Sequence, residues 1–528
     1  MSKFREITAL LVAKPWLGGV IVFVLTTVLY SAVQWPAAFQ DPDSYYHAGL
    51  AVLTAEQGTV LDFPWLPFTT LADSFADHHY LYHLLLVPFV RLFDPLVGLK
   101  IAAVLFGAAA SAGFYLAARQ LRLRPNLSLV FSLLLATSMN FMFRMNLAKA
   151  ASLSVLLVLL GVAAVVRRSH IGLFVLGFVF VWTHGSWPLL VFVVGLFACA
   201  DFFRTGKLRA PARLLGWTVM GLATGLVVNP YFPQNLEFYW YQTIHAALIN
   251  YADVINVGME WLPYQTDKLI PQNAAPTLLL ALAAALALAA RLWREQIVRP
   301  VGPNENDLLR RASLTKALAV GTAILFALAL RSQRHIEYFV PFSMLFSAAW
   351  FDYLSRRYDL RRLWCLSFGD SRRLGLAIAT FFCLLFPVIA MRDVYVIVGK
   401  FHEQPAQFAF GKYESVTDWM QLHLPPSAVI FHGDWADFPP LFYRAPEFRY
   451  LAGLDPTFFY LKDPASFATW REATAGRVRD ISAVVRFYDS KYAFVTSDQT
   501  DLRRAIEADE DFELVYQDDE ARVYMIFP

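Results

Sequence analysis

Gln40-Asp41-Pro42-Asp43-Ser44-Tyr45-Tyr46-His47 stands just outside an apolar run from about Trp16 to Ala32, and that junction decides how the rest of the chain is read. A run of this length is too long for the apolar core of a signal peptide. Preceded by the basic residues Lys3, Arg5 and Lys14, it reads as an uncleaved first membrane helix. Two carboxylates at the edge of hydrocarbon are cheap to keep only where water, a cation or a polar substrate meets them, so the octet is either a solvated loop start or part of a site.

The same reading extends along the chain. Of its 528 residues 57% are apolar and 16% charged, and the mean hydropathy is +0.45, more hydrocarbon than a water-soluble core needs. Apolar runs near 16–33, 96–118, 126–142, 150–166, 171–184, 187–203, 214–229, 275–292, 314–330, 336–353 and 374–393 predict a polytopic helical membrane protein with about eleven (11–13) spans. The stretch from Tyr80 to Phe93 is expected to be an interfacial helix. If the N-terminus is cytoplasmic, every basic cluster falls inside: Arg119 to Arg124, Arg167 with Arg168, Arg204 to Arg213, Arg291 to Arg311, and Arg356 to Arg373. The outer loops then hold only isolated cations, Arg91, Arg144, Lys149, Lys268, Arg331 and Arg334. This predicts an integral protein of a bacterial or archaeal plasma membrane, surrounded by membrane lipid. A transmembrane domain (1–398) carries long outer loops at 34–95 and 230–274, followed by an extracytoplasmic α/β domain (399–528). In that tail, runs 428–431, 483–487, 492–496 and 521–527 read as strands, and 415–423, 464–474 and 500–508 as helices. A net charge of +3 spread over topology signals gives no reason to expect nucleic acid, and the cysteines, Cys199, Cys365 and Cys383, form neither a disulfide framework nor a zinc motif.

The outer polar segments are where chemistry is expected. In the first loop seven acids, Asp41, Asp43, Glu56, Asp62, Asp73, Asp77 and Asp94, face Arg91 alone, and the loop ends in Asp77-His78-His79-Tyr80-Leu81-Tyr82-His83. Carboxylates with imidazoles suit a divalent cation, Mg or Mn where carboxylates dominate, so Asp43, Asp77, His78 and His79 are the candidate ligands. The plainer alternative makes these histidines caps of an interfacial helix. Arg331-Ser332-Gln333-Arg334-His335 brings two guanidiniums to an outer mouth, where they either clamp phosphate oxygens or anchor a helix end at the headgroups.

Asp-x-Tyr-Tyr-His directly after the first helix, in an acidic loop of a chain with about a dozen spans and a soluble tail, resembles the GT-C glycosyltransferases, above all the catalytic subunit of oligosaccharyltransferase. The resemblance implies that Asp43 sits beside the metal and activates the acceptor, with Asp41 second and Tyr45, Tyr46 and His47 around them. It also implies that Arg334, supported by Arg331, His335 and Arg144, holds the donor phosphate, and that Glu260, in Val257-Gly258-Met259-Glu260-Trp261, reaches the acceptor from the second long loop. Oligosaccharyltransferases carry Trp-Trp-Asp-Tyr-Gly where this chain has His432-Gly433-Asp434-Trp435-Ala436, so Asp434 and Trp435 are acceptor-binding candidates in an altered motif. The family's second acidic motif is missing from Phe143-Arg144-Met145-Asn146-Leu147-Ala148-Lys149. Either the first loop supplies all metal ligands, as in protein O-mannosyltransferases and aminoarabinose transferases, or Arg144 and Lys149 act as phosphate clamps without a metal. His184-Gly185-Ser186-Trp187 is a packed hairpin or adds an imidazole. The implied activity is inverting transfer of a sugar or oligosaccharide from a lipid-linked polyprenyl-phosphate or pyrophosphate donor. The acceptor is a protein side chain or, alternatively, a lipid or glycan. A polar-lipid flippase is the further alternative, and it predicts charges at mid-membrane and related halves.

Overall fold

The computed structural model describes residues 13–299, 305–369, 372–403 and 408–527; Lys3 and Arg5 lie outside them. Helix α1 (Pro15–Val33) starts on a proline at its first turn and is uniformly apolar, as a lipid-facing helix is. The acidic octet then opens α2 (Asp43–Gln57), and Asp43, in its first turn, places a carboxylate at the positive end of the helix dipole. The run expected at the interface forms α3 (Tyr80–Leu92), followed by α4 (Pro95–Gln120), which Asp94 caps by accepting from the Leu96 and Val97 N–H groups at 3.0 and 3.2 Å.

Further along lie α5 (Pro125–Thr137), α6 (Met139–Met145), α7 (Ala151–Arg167), α8 (His170–Thr183), α9 (Pro188–Thr205), α10 (Arg209–Val227), α11 (Ala274–Leu292), α12 (Glu305–Arg331), α13 (Ile336–Arg357) and α14 (Arg372–Glu403). The apolar runs named above lie within these helices to within two residues at their ends, except that the run 126–142 is split between α5 and α6. By length and composition, 6 of the described helices can cross a membrane, or 7 if α5 and α6, bent by 71° at Ser138, form one span. The others are shorter, such as α7 and α8, or more polar. The protein is an integral membrane protein.

After α14 the chain builds a small sheet domain. Its strands are β1 (Val429–His432), β2 (Arg449–Tyr450), β3 (Ser490–Thr496), β4 (Phe512–Gln517) and β5 (Ala521–Ile526), in the order β2-β1-β3-β5-β4. β1 is parallel to both its neighbours, whereas β3, β5 and β4 run antiparallel in turn. The run 483–487, expected to be a strand, is helical within Ile481–Phe487: Asp480 accepts from the Ala483 N–H at 2.9 Å, and Ile481 and Val485, one turn apart, face the core. A cap has overridden the β preference of its valines.

The sheet domain is joined to the first long loop, between α1 and α4, along its length. Phe39 and Phe410 exchange backbone hydrogen bonds of 2.9 Å with Phe408 and Ala37, and the Tyr450 N–H donates to Trp65 O at 2.8 Å. Gly49 in α2 lies so close to the domain that a Cβ there would sit 3.0 Å from the Phe442 ring. The first loop, the second long loop and the tail are thereby held around one end of the bundle.

Candidate active site

A cavity of about 110 Å³ opens where these segments meet, lined among others by Asp43, His47, His79, Arg144, Lys149, His184, Glu260 and Arg334. Asp43 is the first residue of α2. Its backbone N–H donates to Asp41 Oδ1 at 2.9 Å, and its Oδ2 meets Lys149 Nζ at 2.7 Å. Asp41 Oδ2 lies at the same 2.7 Å from Lys149 Nζ, so one ammonium, fixed in the short turn between α6 and α7, is shared by both acids. Burial pushes the Asp43 carboxyl up to about 6 against the pull of Lys149, and Asp41 adds to the rise. Asp43 Oδ1 is buried without a protein partner, which leaves it one free acceptor.

Across the cavity is a second charged group. Arg144 binds Glu260 Oε2 through Nη1 at 2.9 Å and Glu337 Oε2 through Nη2 at 2.8 Å. Glu260 Oε1 also meets Arg334 Nη1 at 3.4 Å, and the Arg334 guanidinium lies over the Trp261 ring, 4.8 Å from its centroid. Burial alone would raise the Glu260 carboxyl. Arg334, Lys149 and Arg144 outweigh it and hold the group well below the usual carboxylate range. The loop carrying Glu260 is fastened by Ser332 Oγ donating to Glu260 O at 2.9 Å and by the Gln333 N–H donating to Leu262 O at 3.0 Å.

The third wall is made of imidazoles. Asp77 Oδ2 lies 2.6 Å from His83 Nδ1, and His83 Nε2 lies 2.8 Å from His47 Nδ1. A carboxylate only accepts, so with neutral rings His83 carries its proton on Nδ1 and receives at Nε2 the Nδ1–H of His47. The His79 ring lies against His78, tilted by 39° with centroids 3.8 Å apart, and 5.1 Å from His184. Burial depresses His47, His79 and His184 well below the ordinary imidazole value and His78 to about 4, so these four rings are uncharged at neutral pH.

The structure assembles many of the expected residues but not all. Asp43, Tyr46, His47, His78, His79, Arg144, Glu260 and Arg334 line the cavity, and Asp41 joins them through Lys149. The set Asp43, Asp77, His78 and His79 is only partly free to hold a divalent cation: Asp43 Oδ1 and both ring nitrogens of His79 are buried without a protein partner, but the other carboxylate oxygens are engaged. Lys149 occupies Asp43 Oδ2, while His83 and the His79 backbone N–H, at 2.6 and 2.9 Å, occupy both oxygens of Asp77. Among the described residues no group of three or more His, Cys, Asp and Glu is arranged to hold an ion. Arg331 turns out of the cavity and donates to Leu248 O, and His335 does not reach the cavity. Tyr45 is structural, donating to Ala409 O. Asp434 caps its own turn by accepting from the Ala436 N–H at 2.9 Å, and Trp435 packs on the second loop, its Nε1–H donating to Asn256 O at 3.2 Å. Neither lines the cavity.

Two further acids belong to the site, Glu337 through Arg144 and Asp455 in the cavity lining. Glu337 lies in the first turn of α13 with an exposure of 0%, and a lone carboxylate at the start of an apolar span is the sign that would have marked it. Asp455, whose carboxyl burial raises, comes from the sheet domain.

No family model and no curated protein matches the sequence. Solved structures do resemble the fold. The chain superimposes on the Archaeoglobus fulgidus oligosaccharyltransferase, tethered there to an acceptor peptide containing the NVT sequon, with a TM-score of 0.60 over 98% of this chain and 74% of that one at 12% identity. ArnT from Cupriavidus metallidurans, bound to undecaprenyl phosphate, gives 0.57 over 96% and 97% at 14% identity. The fold is that of the GT-C glycosyltransferases. The arabinofuranosyltransferase AftD from Mycobacteria gives 0.59 over 97% of this chain and 40% of its own at 12% identity. At such identities the likeness fixes the GT-C fold alone.

Proposed function

We propose that this GT-C protein is an inverting glycosyltransferase that moves a sugar or oligosaccharide from a polyprenyl-phosphate or pyrophosphate carrier to a protein side chain on the extracytoplasmic face. The observation that carries the reading is a single cavity with a buried acid, Asp43, on one wall and two guanidiniums, Arg144 and Arg334, on another. A phosphate-linked sugar already has a good leaving group, so the demand falls on activating a poor nucleophile and on holding the departing charge. The Asp43 carboxylate takes the proton of the acceptor O–H or N–H. The acceptor atom bonds to the anomeric carbon while the bond from that carbon to the phosphate oxygen breaks. Its electron pair stays on the phosphate, which Arg334 and Arg144 receive bidentately. Lys149 keeps Asp43 aimed and ionised despite its burial, so this account needs no step through a metal.

A second acceptor class has an observation in its favour. Trp435 and Asp434, at the place of the sequon-reading motif in oligosaccharyltransferases, are spent on packing and capping, which favours a lipid or polysaccharide acceptor over a sequon. A flippase finds less support, because the charged groups of the cavity gather at one end of the bundle.

The test uses full-length protein reconstituted in liposomes with a radiolabelled polyprenyl-phosphate sugar. Asp43→Asn should lower transfer by about 100-fold or more while the melting temperature is kept. Transfer at the wild-type rate would remove Asp43 from the chemistry, and transbilayer movement of the donor without transfer would favour the flippase.

A further inference from the structure

A second polar cleft lies at the other end of the bundle, between the last turns of α7 and α9 and the first turns of α12, and it is lined by Val166, Arg168, Asp201, Arg204, Arg310 and Ser313. α7 connects the two sites. Ala151, its first residue, lines the active-site cavity, and Arg168 caps its other end, about 25 Å away at the rise of a 17-residue helix.

The charges of this cleft do not balance. Arg168 Nη2 and Arg204 Nη2 share the one carboxylate of Asp201, each at 2.6 Å. Arg310 has no carboxylate partner among the described residues and donates through Nη2 to Val166 O at 2.9 Å. The nearby acid Asp307 is already engaged by Arg122 at 3.0 Å and by Arg311 at 2.7 Å. Three guanidiniums therefore line a cleft that holds one carboxylate, and the remaining positive charge calls for a ligand with more than one acceptor oxygen.

The surroundings say which kind. α9 and α12 are both long and apolar enough to cross a membrane, so the cleft stands at the level of the lipid headgroups. Phe202 and Phe203, beside Arg204, are 37% and 84% exposed, apolar surface that suits an acyl chain and that a dissolved ion would not use. We infer that this arginine cleft binds the phosphodiester headgroup of an anionic membrane phospholipid, with its acyl chains against Phe202 and Phe203. The inference rests on the membrane reading and is independent of the proposed transfer.

The experiment follows thermal unfolding of the detergent-purified full-length protein on adding phosphatidylglycerol, phosphatidylcholine or inorganic phosphate. Phosphatidylglycerol should raise the midpoint by about 2 °C or more above the phosphatidylcholine value. Arg310→Gln and Arg204→Gln should abolish the difference, and Arg361→Gln, in a separate basic cluster, should keep it. Equal shifts from both lipids, an undiminished difference in Arg310→Gln and Arg204→Gln, or the full shift from inorganic phosphate alone would each overturn the inference. If these variants do not fold, the wild-type difference should vanish at high salt, and a salt-insensitive difference would count against the site.

Discussion

Asp43 owes its character to three neighbours: the hydrocarbon-like burial that disfavours its charge, the Asp41 carboxyl that adds to this, and the Lys149 ammonium that opposes both. A carboxyl raised to about 6 is mostly ionised at neutral pH yet basic enough to take a proton from a substrate. Its base form is lost as pH falls through that value, so the transfer rate should drop about tenfold per pH unit below 6 and level off above it; a flat pH–rate profile from 5 to 7 would count against Asp43 as the base. Asp43 was legible in the sequence because two acids after a span need a reason to be there. Its partner was not. Lys149 stands in a turn without acids, and no local pattern tells that a residue 106 positions from Asp43 closes on both Asp41 and Asp43 at 2.7 Å. Arg334 leads and Arg331 supports in the sequence reading, and the short 3₁₀ turn over Gln333–His335 separates them, sending Arg334 to Glu260 and leaving Arg331 on the Leu248 carbonyl.

Helices pack here by omitting side chains as much as by fitting them. α8 and α10 touch backbone to backbone: a Cβ on Gly221 would lie 2.1 Å from Phe174 O, and one on Gly225 would lie 2.9 Å from Phe178 O. Neither carbonyl can retreat without breaking its helix, so the two glycines set the distance between these helices. Gly221→Val should force them apart and lower the melting temperature of the purified protein by several degrees, about 1–3 kcal/mol of overpacking; Ala in the more open Gly195, with nothing within 4 Å of its Cβ, should leave it unchanged. The positions of the helices could be read from the apolar runs with an error of a few residues, since periodicity and length carry that signal. How many of them cross the membrane could not, because α7 and α8 pair apolar composition with lengths of 17 and 14 residues, and burial against neighbours rather than lipid explains such helices equally well.

At the scale of the whole molecule, the site is a joint product of segments far apart in the chain. The second long loop carries Glu260 into the cavity and is clasped from outside by the sheet domain, through Trp435 Nε1–H to Asn256 O at 3.2 Å and Arg471 Nη1–H to Val254 O at 2.9 Å. Trp435 thus works at one remove, as a prop for the loop. Trp435→Ala should make the 251–264 stretch several-fold more sensitive to chymotrypsin while the sheet domain stays folded, and unchanged cleavage would show that the loop holds itself. Every cation at the cavity that results is already paired. Lys149, Arg144 and Arg334 stand against Asp41, Asp43, Glu260 and Glu337. An arriving phosphate therefore finds no vacant cation and must take Arg334 from a resident rival. If the proposed donor binds here, its binding is an exchange of anions, with Glu260 the stand-in that keeps the empty site from seizing whatever phosphate passes. Removing its charge with Glu260→Gln should tighten the apparent donor KM by about tenfold, roughly 1.4 kcal/mol of lifted competition, and let free phosphate inhibit where the wild type resists it.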